Sequence, residues 1–285
     1  MYNAITVDVE EWFQVTRLRN RIRPRDWPRQ QSRIVENVAR ILMLFQEYQI
    51  KATFFVVGWI AERYPELVRT IYEHGHEIGS HGYQHQLVYE QSPGEFARDL
   101  RKSLDLLERI TNKKVISYRA PSFSINNRTL WAFEILKENH IDIDSSLFPV
   151  KHDIYGQLLC PFGFFKIQIP NKGFLTECPI ATLSILGRRF PIGGGGHLRV
   201  YPLRLIEEGI RSLNAQGTPA VIYFHPWELD PFFPKVPTSL ISTAIHYHDL
   251  ANTENKIRKL LDEFKFTSLR ELVNLAKVND YWPSW

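Results

Sequence analysis

The strongest constraint on this chain is a rhythm. Short apolar runs, too brief for helices, alternate with longer amphipathic stretches, and five of the runs end in polar or ionisable side chains. Ile5-Thr6-Val7 leads into Asp8-Val9-Glu10-Glu11, and Glu77-Ile78-Gly79 into Ser80-His81-Gly82-Tyr83-Gln84-His85. Val115–Tyr118 ends in Arg119-Ala120-Pro121-Ser122, Ile141–Ile143 in Asp144-Ser145-Ser146, and Ala220–Phe224 in His225-Pro226-Trp227-Glu228. Thr53–Val57 is a further β-branched and aromatic run. Between these, Ser32–Tyr48 sets Ile34, Val38, Ile41, Leu42 and Phe45 at helical spacing. Pro65–Glu73 opens on a proline suited to a first helical turn. Ser92-Pro93-Gly94-Glu95 is a capping box ahead of Phe96, Leu100, Leu104 and Leu107, which share one face. Asn127–Lys137, Leu203–Asn214, Glu254–Phe264 and Ser268–Ala276 read as further helices. This alternation predicts an α/β fold on a parallel sheet, and at 285 residues a barrel rather than an open sheet.

The segment at about 148–202 breaks the rhythm. It is rich in Gly, Pro and aromatics and predicts inserted loops and hairpins within a single domain spanning 1–285. The four glycines Gly193–Gly196 lack the spacing and the strand–loop–helix setting of a nucleotide site. Net charge is +4 from 35 basic and 31 acidic residues, too balanced for a nucleic-acid partner. The basic cluster Arg17, Arg19, Arg21, Arg23, Arg25 and Arg29 reads first as a solvated loop, with contact to an acidic polymer or a membrane surface as the minor reading. Two cysteines, Cys160 and Cys178, with no CxxC, fit a reducing compartment. No leader pattern and no apolar stretch long enough to span a bilayer is visible, so the expected location is cytoplasmic, at most peripheral to a membrane. Oligomeric state stays open: the 148–202 loops and Tyr281-Trp282-Pro283-Ser284-Trp285 can pack on a second copy, or the tail can fold back.

In a parallel barrel the C-terminal strand ends meet on one face, where such enzymes place their sites. Two histidines, several carboxylates and one arginine converging there form the inventory of a metal hydrolase. His81 and His85 are four apart, the spacing that aims two imidazoles at one point on a helical turn. A carboxylate from the first strand end completes three ligands and leaves positions open for water and substrate. His74 and His76 precede their strand and read as structural. Taken singly, each feature has a plainer explanation: a strand-terminal Asp as a cap, Arg119-Ala120-Pro121 as a turn, His225 as a core histidine.

With these motifs the chain resembles the polysaccharide deacetylases of carbohydrate esterase family four, the NodB-homology family. Within them it is most similar to the subgroup associated with bacterial exopolysaccharide and exosortase loci. The resemblance rests on Thr6–Phe13, Ala52-Thr53-Phe54-Phe55, Gly75–His85, Tyr118–Ser124, Asp144-Ser145-Ser146, Gly193–Gly196 and Phe224–Glu228. It implies a distorted (β/α) barrel of about seven parallel strands and hydrolysis of N-acetyl groups on an N-acetylated polysaccharide or oligosaccharide. It implies Asp8 as catalytic base, His225 as acid, Arg119 as the partner of the base, and Asp144 as the carboxylate orienting His225. It implies Zn²⁺ or another divalent transition metal on His81, His85 and a carboxylate.

The usual second aspartate of the first motif is Val9 here. Glu10 shares a strand face with Asp8 and is the better ligand candidate, with Glu11 the alternative. The usual Trp after the Asp144 motif is replaced by Leu147 and Phe148. Trp12, Phe13 and Trp227 are candidates for stacking on sugar faces or for core packing, and a backbone N–H near Ser122 for holding an oxyanion. Two other functions stay open at this point: a cyclic-amide hydrolase of the allantoinase-like kind, and a non-catalytic carbohydrate-binding protein.

Overall fold

The computed structural model describes residues 1–150, 160–185, 187–236, 243 and 246–282. Its centre is β1 (Tyr2–Val9), buried on both faces after its first residue, as a strand inside a parallel sheet must be. β1 pairs in parallel with β2 (Thr53–Val56), with β10 (Val221–Phe224) and, at its start, with β11 (Lys265–Thr267). From β2 the sheet continues through β3 (Glu77–Ser80), β4 (Ser117–Tyr118), β5 (Ile143–Asp144) and β7 (Gly173–Glu177). The order β10-β1-β2-β3-β4-β5-β7 is parallel at every step. Beyond it, β6 (Phe165–Ile169) returns antiparallel on β7, and β12 (Asn279–Trp282) lies parallel to β6.

The expected seven parallel strands are therefore present, but among the described residues no strand pairing closes the ring from β10 to the other end. Loop backbone covers that seam instead. Ala181 N–H donates to the Val221 carbonyl and Tyr223 N–H to the Gly193 carbonyl. The chain between residues 181 and 193 leaves the sheet as the separate hairpin β8 (Thr182–Ile185) and β9 (Arg188–Pro191), so it adds no further strand there. Gly193 permits the close approach, since a Cβ on it would lie 2.5 Å from the Val221 carbonyl oxygen.

The helices follow the predicted periodicity. α1 (Ile34–Glu47) buries Ile34, Val38, Ile41, Leu42 and Phe45. α2 (Gly58–Arg63), too short to show a period, precedes α3 (Pro65–Glu73). α4 (Pro93–Thr111) has the reciprocal capping box, with Ser92 N–H donating to the Glu95 carboxylate at 2.8 Å and Glu95 N–H to Ser92 Oγ at 3.4 Å. α5 (Trp131–Glu138), α6 (Gly195–Val200), α7 (Leu203–Ala215), α8 (Thr253–Glu263) and α9 (Leu269–Leu275) follow along the chain. The segment read as inserted loops thus holds two hairpins and a helix, and the strands of its first hairpin, β6 and β7, belong to the main sheet. The tail residues 283–285 of the packing expectation lie outside the described residues. No helix among those described is long and apolar enough to cross a membrane.

His76 is structural, as expected. Its Nδ1 accepts the Ala52 N–H at 3.2 Å, between β2 and β3, so it must keep a lone pair there. Burial and the nearby Lys51 and His74 lower its pKa to about 4. Its folded value lies below the unfolded value of about 6.5, so its contribution is complete above that pH and fades as pH falls toward 4. Acidification across that window is expected to cost up to ~3 kcal/mol through this group. Urea unfolding at pH 7 and pH 4.5 checks it: a His76→Gln variant should lose less stability between the two than the parent.

Candidate active site

Asp8 stands near the end of β1 and Glu10 just beyond it, so the strand's alternation sends both to one side and Val9 into the core. Glu11 points elsewhere. Its carboxylate accepts from Ser32 Oγ and from the Arg33 and Ile34 N–H groups, at 3.1 and 3.3 Å, capping the start of α1. Burial outweighs these bonds and raises its pKa to about 7. Glu11 is thus not the ligand alternative. Glu11→Gln is expected to lower stability by about 1 kcal/mol while leaving metal content intact, which thermal melts and metal analysis will check.

His81 and His85 do not share a helical turn. The chain leaves β3 through a loop that bends at Gly82 (φ 70°) and His85 (φ 51°). Asp99 on α4 fixes this loop by accepting the Tyr83 and Gln84 N–H groups at 2.7 and 3.1 Å. His81 Nδ1 donates to the Arg119 carbonyl at 2.8 Å, which leaves the Nε2 lone pair free to face the cavity. Glu10, His81 and His85 each bring one ligand atom within 4.8 Å of the others. Glu10 Oε2 is buried and accepts no hydrogen bond, although His85 Nε2 lies 2.6 Å away. Burial and the neighbouring His85 hold His81 well below its ordinary pKa. Burial pushes Glu10 up, but His85 and His225 pull it below the usual carboxylate value. A neutral imidazole, an ionised carboxylate and an orphaned buried oxygen fit a divalent metal with open positions.

Beside this triad Arg119, on the loop after β4, is fully buried and donates to Asp8 Oδ1 at 2.7 Å. The same guanidinium reaches Thr6 Oγ1 (2.8 Å), the Ser145 carbonyl (3.1 Å) and Ser145 Oγ (2.9 Å). Arg119 thus joins Asp8 to Thr6 and Ser145 through one guanidinium.

The expectation for Asp144 needs correction. Asp144 accepts from Ser146 Oγ at 2.7 Å and from Ser146 N–H at 3.1 Å, and it stands opposite Glu177 of β7. Burial pushes both carboxyls up, Glu177 strongly. Glu228 orients His225 instead. Its Oε2 accepts from His225 Nδ1 and from the His225 N–H, both at 2.9 Å, while Arg199 Nε donates to Oε1 at 2.7 Å. Burial opposes a charge on His225, but Glu10 and Glu228 override it and raise the pKa to about 9. Burial likewise opposes charge on Glu228, yet Arg199 and His225 lower it to about 2. Because a carboxylate only accepts, Nδ1 keeps its proton, and the acidic proton of the imidazolium sits on Nε2, 3.4 Å from Glu10 Oε1. The sequence carried this signal as a His-x-x-Glu capping box, residues 225 to 228.

A cavity of about 380 Å³ brings together Asp8, Glu10, His81, His85, Ser122, His225 and Trp227. A larger depression of about 800 Å³, by Lys113, Asp142 and Lys172, opens at the other end of the sheet and contains none of them. Trp227 stacks on His225, with ring centres 5.2 Å apart and planes 17° from parallel. Ser122 and Phe123 both take left-handed φ, 51° and 52°, and Ser122 Oγ meets Thr16 Oγ1 at 2.6 Å. Trp12 is not part of this cavity. It is buried, donates to the Gln31 carbonyl at 2.9 Å and packs on Phe13 and Phe233, so its role is core packing.

Residues 26–138 match the family model described as polysaccharide deacetylase, and residues 145–274 the one described as Domain of unknown function (DUF3473). A peptidoglycan deacetylase of Helicobacter pylori is 33% identical over 110 residues, 39% of this chain and 36% of that protein. A peptidoglycan-N-acetylglucosamine deacetylase of Bacillus cereus is 32% identical over 101 residues, 35% of this chain and 37% of that protein. The match thus spans little more than a third of these relatives. A crystal structure described as a polysaccharide deacetylase from Mycobacterium smegmatis superposes with TM-score 0.63 at 19% identity, covering 100% of this chain and 95% of that one. The peptidoglycan deacetylase PdaC of Bacillus subtilis gives TM-score 0.51 at 16% identity, covering 96% and 90%. At these identities the two structures speak for the fold alone. Residues 26–138 are thus similar to the polysaccharide deacetylase family, and the whole chain shares the fold of the solved structure described as a polysaccharide deacetylase.

Proposed function

We propose that this chain, as one domain over 1–285, hydrolyses the N-acetyl group of N-acetylhexosamine units in a bacterial polysaccharide or its precursor. The observation that carries the reading is one cavity in which a buried His₂–carboxylate set adjoins a clamped Asp8 and a His225 poised to be protonated. Asp8 takes a proton from the attacking water, with Arg119 fixing the carboxylate that receives it. His225 gives its Nε2 proton to the leaving nitrogen as the C–N bond breaks, and Glu228 stabilises the imidazolium beforehand. The products are acetate and the free amine. Glu10, His81 and His85 would hold the metal, Zn²⁺ or another divalent ion, which when bound acts as a Lewis acid toward the acyl oxygen. Ser122 N–H is a second donor for that oxygen, and Trp227 walls the cavity beside the acid. The DUF3473 match over 145–274 supports an exopolysaccharide substrate. The buried, unpaired Cys160 and Cys178 support a reducing, cytoplasmic setting.

The test is acetate release from a panel of N-acetylated oligosaccharides. Release is expected to vanish on chelation and return with zinc. No release from any sugar by metal-loaded protein, together with turnover of hydantoin-type cyclic amides, would overturn the reading.

A further inference from the structure

The arginine-rich segment after β1 takes no part in the chemistry above. Between residues 17 and 29 it carries Arg17, Arg19, Arg21, Arg23, Arg25 and Arg29 against a single acid, Asp26. All six arginines are exposed. Arg19 pairs with Glu90 at 2.7 Å. Asp26 is engaged with the backbone, accepting the Arg23 N–H at 3.4 Å. The other five guanidiniums form no ion pair among the described residues.

Two features separate this run from an ordinary solvated loop. Its large apolar side chains, Leu18, Ile22 and Trp27, are buried in one cluster with Trp12, Phe13 and Trp227, so the segment is fixed to the body of the protein. The charges are also divided by position. Arg17 stands in the wall of the active-site cavity and Arg19 in that of a neighbouring cleft, whereas Arg21, Arg23, Arg25 and Arg29 line neither. A ligand held in those recesses meets only Arg17 and the neutralised Arg19. The remaining four cations act on what lies outside the molecule.

The partner that fits is a broad anionic surface. Guanidinium is weakly hydrated and pairs bidentately with phosphate. No large apolar side chain of the segment is exposed, so nothing on it inserts among acyl chains and the attraction is electrostatic. Near an anionic leaflet each arginine contributes roughly fivefold in affinity. We infer that residues 17–29 dock this protein reversibly on an anionic phospholipid surface, beside the active-site cavity. Docking of this kind is independent of what the cavity hydrolyses.

The test is co-sedimentation of the full chain with vesicles, read without turnover. One set is phosphatidylcholine alone, the other an equimolar mixture with phosphatidylglycerol. The protein is expected to bind the mixed vesicles and not the neutral ones. Binding should fall steeply as salt rises from about 0.1 M to about 1 M, where the screening length shortens from roughly 10 Å to 3 Å. Arg21→Gln, Arg23→Gln, Arg25→Gln and Arg29→Gln together should weaken binding at least ~50-fold. A control removes the same charge from the other end of the sheet, through Lys113→Gln, Lys114→Gln, Lys137→Gln and Lys172→Gln. It should stay within about fivefold of the parent. Thermal melts establish that each variant folds. If the fourfold arginine variant does not, the pairs Arg21→Gln with Arg25→Gln and Arg23→Gln with Arg29→Gln replace it, each expected to weaken binding at least about fivefold. Absence of binding to the mixed vesicles, or equal losses from the arginine and lysine variants, overturns the inference. Capture by soluble polygalacturonate in preference to the vesicles also overturns it and assigns the segment to an acidic glycan.

Discussion

Asp8→Asn is expected to lower acetate release by about 10²–10⁴-fold, the usual worth of a positioned general base, while the protein folds and keeps its metal. An amide cannot take up the water's proton at neutral pH. Its oxygen can still accept from Arg119 Nη1, which lies 2.7 Å from Asp8 Oδ1. The variant therefore avoids stranding a buried guanidinium, the error that would make Asp8→Ala ambiguous. Arg119 also keeps its bonds to Thr6 and Ser145. The check is kcat on an acetylated oligomer beside metal content and thermal stability. Turnover close to the parent's would remove Asp8 from the role of base and turn attention to Glu10.

Gly195→Ala is expected to damage the acid side of the site as severely, from a position that touches no substrate. A Cβ at Gly195 would lie 1.8 Å from Glu228 Oε2 and 2.6 Å from its Cδ. Glu228 is almost fully buried and held by Arg199 and twice by His225, so its carboxylate can yield to the new methyl only by giving up those bonds. Overpacking of this kind costs about 1–3 kcal/mol. Shifting the carboxylate that aims His225 is expected to lower kcat about 10²-fold. Gly196→Ala is the control, because the nearest atom to its Cβ is 3.9 Å away, at the Arg199 guanidinium. Thermal melts should leave Gly196→Ala at or above the parent while Gly195→Ala falls. If both variants melt alike, the close packing of α6 on Glu228 is not what sets the carboxylate.

These two variants divide what the sequence revealed from what it hid. Asp8, Glu10, His81, His85, Arg119 and His225 were legible because parallel strands place their C-terminal ends on one face, and strand alternation chose Glu10 over Val9. Helix periods and the Ser92 capping box were legible because they are local. The partner of His225 was not. The resemblance pointed to Asp144, yet in three dimensions Asp144 faces Ser146 and Glu177, and Glu228 fills the role from within the motif itself. Arg199, which anchors Glu228, comes from a glycine-led helix with no distinguishing pattern. Trp12 and Trp227 looked equivalent, each beside a motif. Only the packing of Phe13 and Phe233 around Trp12, and of His225 against Trp227, tells them apart. The spacing of His81 and His85 suited a helix, but Asp99 and two left-handed residues make a loop do the same work.

The central place of β1 has a consequence for how the protein is made. The first strand waits between partners that leave the ribosome at very different times: β2 within the first sixty residues, β10 only after residue 220. The candidate metal ligands Glu10, His81 and His85 are all translated by residue 85, whereas His225 and Glu228 arrive on the order of ten seconds later at ordinary synthesis rates. During that interval the nascent chain can present the candidate triad beside a strand whose other edge is bare. A growing polypeptide stalled before residue 220 is thus open to sheet-edge aggregation and to premature metal capture, and chaperone occupancy should concentrate on that arrested intermediate.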